Sequence, residues 1–155
     1  TIGDAMLKHI VLLVMMMFSF AAVGEEIGSV STTFRAFGSN DSIKINVFDD
    51  PEVKGVACYL SSAKTGGISG SVGLASDPSD ASVACRQSGP ISFSDNLKSG
   101  MDVFTAKRSL FFKELHVVRF IDRQRKMLVY LTYSDHLVDG SPKNSITAVS
   151  YGLPQ

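Results

Sequence analysis

The sequence has little of several residue types that carry chemistry. It contains no tryptophan, two cysteines and three histidines, and its 15 lysines and arginines balance its 15 aspartates and glutamates. No block of like charge occurs, and a basic patch is what nucleic acid and anionic membrane surfaces require. We therefore expect neither nucleic acid nor an anionic membrane surface to be the partner.

Motifs of catalysis, metal binding and cofactor binding are equally scarce. His116 and His136 have no ligand spacing to a cysteine or to each other, so no metal site is expected. The glycine-rich segment 65–73 lacks the lysine and hydroxyl spacing of a phosphate-binding loop, and no G-x-S-x-G motif is present. We expect no cofactor and assign no catalytic residue.

The N-terminal 24 residues have the order of a secretory signal peptide. Lys8 and His9 precede an apolar run, Ile10–Phe20, and small residues lead to Gly24. The run is shorter than the roughly 20 residues that span a bilayer. We expect residues 1–24 to be an N-terminal extension and signal peptide cleaved after Gly24, and residues 25–155 to be one exported domain without stable membrane insertion. The alternative is that Met6–Val23 stays as an anchor.

Both cysteines lie in the exported part. In an exported protein an even pair favours a disulfide, here between Cys58 and Cys85. The chain has no C-x-x-C motif, which disfavours a redox-active thiol. Two free buried thiols are the alternative.

Alternating and β-branched segments predict an all-β, mainly antiparallel fold. Between Ile43 and Phe48, apolar residues alternate with Lys44 and Asn46, as in a half-buried strand. A sandwich or a partly open barrel with one or two short helical turns is expected. The predicted strands cover residues 30–37, 43–48, 55–61, 103–112, 115–122, 126–134 and 144–150.

Two connections stand out. Residues 122–125 predict a hairpin turn between strands that are apolar on both faces, which is typical of strands inside a sheet or under a covering layer. The segment Thr65–Pro90 reads as an irregular excursion, with a helical turn from Asp77 into Ala81–Ala84. Long loops on β scaffolds often carry function, and an irregular surface loop is the alternative.

Several segments resemble the CreA family of bacterial envelope proteins, in order and at similar spacing. The resemblance implies a periplasmic protein of a Gram-negative bacterium, with both cysteines at the family's positions, and it implies no activity. The segments that carry the resemblance are residues 25–30, 48–51, 63–67, 79–81, 117–120, 133–135 and 140–144.

Two of these segments predict a polar site. Lys64, Thr65, Gly66 and Gly67 combine a cation with flexible backbone donors, which suits an anion such as a carboxylate. A rigid turn ends in Lys143 and Asn144, and the two segments would line one site if the fold brought them together. Two unrelated turns are the alternative.

The signal-peptide pattern, the balanced charge and the lack of a recognisable set of catalytic residues favour a non-enzymatic periplasmic domain. We expect it to bind a small anionic ligand or an envelope protein. One alternative is a periplasmic hydrolase acting on cell-wall or peptide material with a spatially assembled serine or carboxylate. Another is a purely structural assembly factor.

Overall fold

A computed structural model describes residues 24–68, 80–107, 114–135 and 142–152. These residues form two four-stranded antiparallel sheets, and each sheet follows chain order. The prediction of an all-β, mainly antiparallel sandwich is confirmed. The first sheet contains β1 (Glu25–Ser31), β2 (Ser42–Asp49), β3 (Val53–Lys64) and β4 (Ala81–Phe93), and the second contains β5 (Met101–Lys107), β6 (Glu114–Asp122), β7 (Met127–Ser134) and β8 (Asn144–Ser150).

Strand β7 shows how the sequence pattern produces burial. Its residues alternate between half-buried and buried along the whole strand, because successive side chains point to opposite faces of a sheet. Leu128 and Tyr130 are fully buried on the inward face. The predicted hairpin at residues 122–125 joins β6 to β7, and Ile121 stands opposite Leu128. Both strands lie inside the second sheet, as their two apolar faces predicted.

The core lies between the sheets. Phe48 of β2 and Phe104 of β5 stack with ring centroids 4.5 Å apart, which joins the first sheet to the second. The predicted disulfide between Cys58 and Cys85 is present, and both residues are fully buried. They face each other across β3 and β4, so the covalent link reinforces the strand pairing.

The sheets also meet at strand β4, which is the last strand of the first sheet. Its outer edge carries backbone N–H groups that β3 does not use. The N–H of Val83 donates to Ser145 Oγ at 3.5 Å, and the N–H of Cys85 donates to Thr147 Oγ1 at 3.4 Å. Hydroxyls of β8 therefore cover an edge that would otherwise be open to pairing with another chain.

The first and fourth strands differ from the sequence prediction. The first strand is Glu25–Ser31 rather than residues 30–37, and the chain then loops so that the N–H of Thr32 donates to the carbonyl of Asp41. The helical turn predicted to run into Ala81–Ala84 is also wrong, because these residues begin β4 and pair with β3. Partner strands outweigh the local capping signal there. Residues 69–79, from the rest of the predicted excursion, and 108–112, from a predicted strand, lie outside the described residues.

Candidate functional site

A cleft of about 480 Å³ lies where β3 ends and where β4 and β8 begin. Its walls come from these strands and from β2, four chain segments that the antiparallel topology brings to one end of the sandwich. Its described lining residues are Ile43, Ser61, Ser62, Ala63, Asp80, Ala81, Ser82, Lys143 and Asn144.

Lys143 and Asn144 supply the polar donors of this cleft. The Lys143 ammonium pairs with the Asp80 carboxylate at 2.5 Å, and the two side chains are 68% and 58% exposed. The Asn144 side-chain amide donates to the carbonyl of Pro142 at 3.2 Å. Two of the predicted site residues therefore reach the end of β3, beside an acid that the sequence did not indicate.

The other predicted residues lie directly after the β3 wall. Within the part of the chain that is described, the lining of the cleft stops at Ala63, and Lys64 stands opposite Ser42 of β2. The N–H of Gly66 donates to Asp41 Oδ1 at 2.7 Å. The N–H of Gly67 donates to the carbonyl of Ser39 at 2.6 Å. The two glycine donors thus hold oxygens of the loop between β1 and β2.

Asp41 gathers several donors besides Gly66. Arg35 Nη2 contacts both of its carboxylate oxygens at 2.9 and 2.7 Å, and Thr33 Oγ1 donates to Oδ2 at 3.2 Å. Hydrogen bonds from Arg35 and Gly66 lower the pKa of Asp41, because they stabilise its charged form. The carboxylate that the glycine segment binds in this structure is therefore one of the protein's own.

A buried charge cluster joins the two sheets. Arg119 of β6 is fully buried, and its Nη1 donates to both oxygens of Asp50 at 2.6 and 2.8 Å. Its Nη2 donates to Glu52 Oε2 at 2.6 Å, and Tyr130 Oη donates to Asp50 Oδ2 at 2.9 Å. Burial disfavours the charged guanidinium, but the hydrogen bonds to Asp50 and Glu52 outweigh it, so the pKa of Arg119 is raised. Burial, with the negative charge of Asp50, also raises the pKa of Tyr130.

This cluster was missed by the sequence analysis. Its only sequence signal is that residues 48–51 and 117–120 are both among the segments that resemble one family. Arg119 and the Asp50 side chain are fully buried, whereas the Glu52 side chain is 54% exposed. We therefore interpret it as a structural link between the sheets.

A second polar cluster surrounds His116 on the outer face of the second sheet. Its Nδ1 lies 3.3 Å from Asp102 Oδ1, and its Nε2 lies 3.1 Å from Asp135 Oδ2. The imidazole is 13% exposed and stacks on Tyr133 with centroids 5.1 Å apart. Burial opposes its protonation, but the hydrogen bond with Asp135 and the charge of Asp102 prevail, so its pKa is raised. His116 is thus a largely buried histidine with a carboxylate at each ring nitrogen.

The fold and the disulfide define a small β-sandwich with the strand topology given above, and comparison with known proteins assigns it to a family. The chain matches the CreA protein family over residues 27–152 and belongs to that family. It is 52% identical over 147 residues to the protein CreA of Escherichia coli K12, a match that covers 92% of this chain and 94% of the relative. The CreA proteins of Escherichia coli O6:H1 and O157:H7 match with the same identity and coverage. No solved structure gives a significant match.

Proposed function

We propose that this protein is a non-enzymatic domain of the bacterial periplasm that binds a small anionic ligand in the cleft between β3, β4 and β8. The observation that carries the proposal is the position of Lys143 and Asn144, which line the same cleft as Ser61 and Ser62. Lys143 and Asn144 bring an ammonium and an amide to this concave surface. Concave sites with a few convergent polar groups are the usual form of small-molecule sites.

A ligand carboxylate would replace Asp80 as the partner of Lys143. Both side chains of the existing ion pair are more than half exposed, and such pairs contribute at most about 1 kcal/mol. Exchanging one carboxylate for another therefore costs little. Asn144 would then supply a hydrogen bond that selects the ligand.

The proposed location follows from the N-terminal sequence and the disulfide. Disulfides persist in oxidising compartments, and residues 1–24 have the pattern of a cleaved signal peptide. None of the described residues forms a helix long and apolar enough to cross a membrane. Denatured protein isolated from the periplasm should have a mass that begins at Glu25 and that increases by two hydrogens on reduction. A mass beginning at Met6 would contradict export with cleavage.

Native mass spectrometry on protein isolated from the periplasm tests ligand binding. We expect extra mass on the native wild type that is lost on denaturation, absent from Lys143→Gln and retained by Lys98→Gln. Lys98 is the matched control, because its exposed side chain lies outside the cleft lining. A bare wild-type protein, or equal retention by both variants, would contradict the cleft as the ligand site. If the wild type carries no ligand but crosslinks in cells to an envelope protein, the result would instead support binding of a protein partner.

The hydrolase alternative is tested with the same preparations. Both ring nitrogens of His116 contact carboxylates in the structure, so the histidine would need rearrangement to activate a serine. The purified protein should release no product from peptidoglycan fragments or peptides. Turnover by the wild type would replace the binding proposal with the hydrolase.

A further inference from the structure

We propose that Glu114, His116 and Asp135 bind a divalent transition-metal cation of the zinc type on the outer face of the second sheet. Glu114 and His116 are two residues apart on β6, so their side chains lie on the same face of the sheet. Asp135 directly follows β7, which is paired with β6. The N–H of Asp135 donates to the carbonyl of Glu114 at 2.9 Å, which fixes the two backbones beside each other. The pairing of two strands therefore sets the positions of all three side chains.

The distances between the ligand atoms suit one small cation. One ligand atom from each residue lies within 4.8 Å of the other two. His116 Nε2 and Asp135 Oδ2 are 3.1 Å apart. Two atoms bound at about 2.0 Å to one tetrahedral zinc are separated by about 3.3 Å. The Glu114 carboxylate, within 4.8 Å of the other two ligand atoms, would have to approach them to bind the same cation.

Asp102 orients the histidine for this role. Its carboxylate lies 3.3 Å from Nδ1, so that nitrogen has a carboxylate acceptor for its proton while Nε2 faces Asp135. Histidines bound to metals usually donate their other ring N–H to a carboxylate in this way. Stacking on Tyr133 further restrains the ring. A histidine between carboxylates is a donor set that suits zinc and other first-row transition metals.

The charge of the cluster also favours a cation. Glu114, Asp102 and Asp135 place three carboxylates around one imidazole, and even the protonated imidazole neutralises only one of them. A cation bound at Nε2 and Asp135 would leave Nδ1 beside Asp102.

Equilibrium dialysis of the chelator-treated full chain against zinc tests the proposal. We expect saturation at one zinc per chain. His116→Gln should lose the saturable binding, and Asp102→Asn should weaken it about 10- to 100-fold. Asp95→Asn is the matched control because it removes an exposed carboxylate elsewhere, and it should bind as the wild type does. Lys143→Gln, which alters the proposed anion cleft, should also bind zinc as the wild type does. The zinc test and the ligand test can therefore fail independently.

A spectroscopic measurement on the wild type makes the test independent of variant folding. On zinc addition, the nuclear magnetic resonance signal of His116 Nε2 should shift to the position of a metal-bound nitrogen, while Nδ1 stays protonated. An unchanged Nε2 signal, or binding that does not saturate at one zinc per chain, would overturn the proposal. It would equally be overturned if His136→Gln abolished binding while His116→Gln kept it.

Discussion

Arg119 and Asp50 form a buried ion pair that connects the two sheets across 69 residues of sequence. Both side chains are inaccessible to solvent, and two hydrogen bonds join them. Removing two charges from water costs free energy that their mutual attraction offsets only while both are present. Each partner therefore depends on the other.

Asp50→Ala should destabilise the fold by about 3–5 kcal/mol, because it leaves the Arg119 guanidinium buried without its main partner. The double variant Asp50→Ala with Arg119→Met should be more stable than Asp50→Ala alone, since it removes the buried charge as well. Urea denaturation followed by circular dichroism measures both effects. Asp49→Ala is the control, because Asp49 is exposed and should change stability little. Equal losses in Asp49→Ala and Asp50→Ala would contradict this account.

The disulfide should stabilise the native state by about 3.5 kcal/mol, as expected for closing a loop of its length in the unfolded chain. Replacing Cys58 and Cys85 together with alanine should lower the free energy of unfolding by about that amount. Adding reductant should have the same effect on the wild type and none on the double variant. If reductant destabilises both proteins equally, the loss does not come from this bond.

The sequence predicted those parts of the fold in which local pattern and tertiary environment agree. Strand β2 alternates as a half-buried strand does, and β6 and β7 carry apolar residues on both faces because they lie inside their sheet. Strand β1 was misplaced because Glu25–Ser31 is almost entirely exposed, so burial imposes no clear alternation on it. The first residues of β4 follow a segment with helix-capping residues, and only pairing with β3 decides their conformation.

The candidate site was predictable to a smaller extent. Lys143 and Asn144 stood out as polar residues at a rigid turn, and the structure places them in a cleft with the end of β3. Asp80 could not be predicted, because it meets Lys143 only through the packing of β4 against β8. The same holds for Asp102 and Asp135 around His116, which the register of three strands brings together.

Gly55→Ala should be strongly destabilising. Gly55 has φ of +78° at the bulge in β3, and an added Cβ would lie 2.4 Å from the carbonyl oxygen of Pro90. The left-handed conformation and the clash with backbone together should cost about 2 kcal/mol or more. Thermal unfolding measures the loss. Gly28→Ala is the matched control, since Gly28 also lies at a bulge but has open space around its Cβ position. Equal effects of the two substitutions would contradict the close approach of Gly55 to β4.

Asp41 should make stability depend on pH in the acid range. Its pKa is lowered in the native state from the ordinary value of 3.8, chiefly by the hydrogen bond from Arg35 and then by that from Gly66. A carboxylate whose native pKa is depressed stabilises the fold above its unfolded pKa, and this contribution is lost as the pH falls through 3.8 toward the native value. The free energy of unfolding should therefore fall more steeply below pH 4 in the wild type than in Asp41→Asn. Above that range the wild type should be the more stable of the two. Asp95→Asn, which removes an exposed carboxylate in another turn, serves as control and should keep the wild-type slope. If Asp41→Asn keeps the wild-type slope too, the ion pair of Asp41 with Arg35 does not persist in solution.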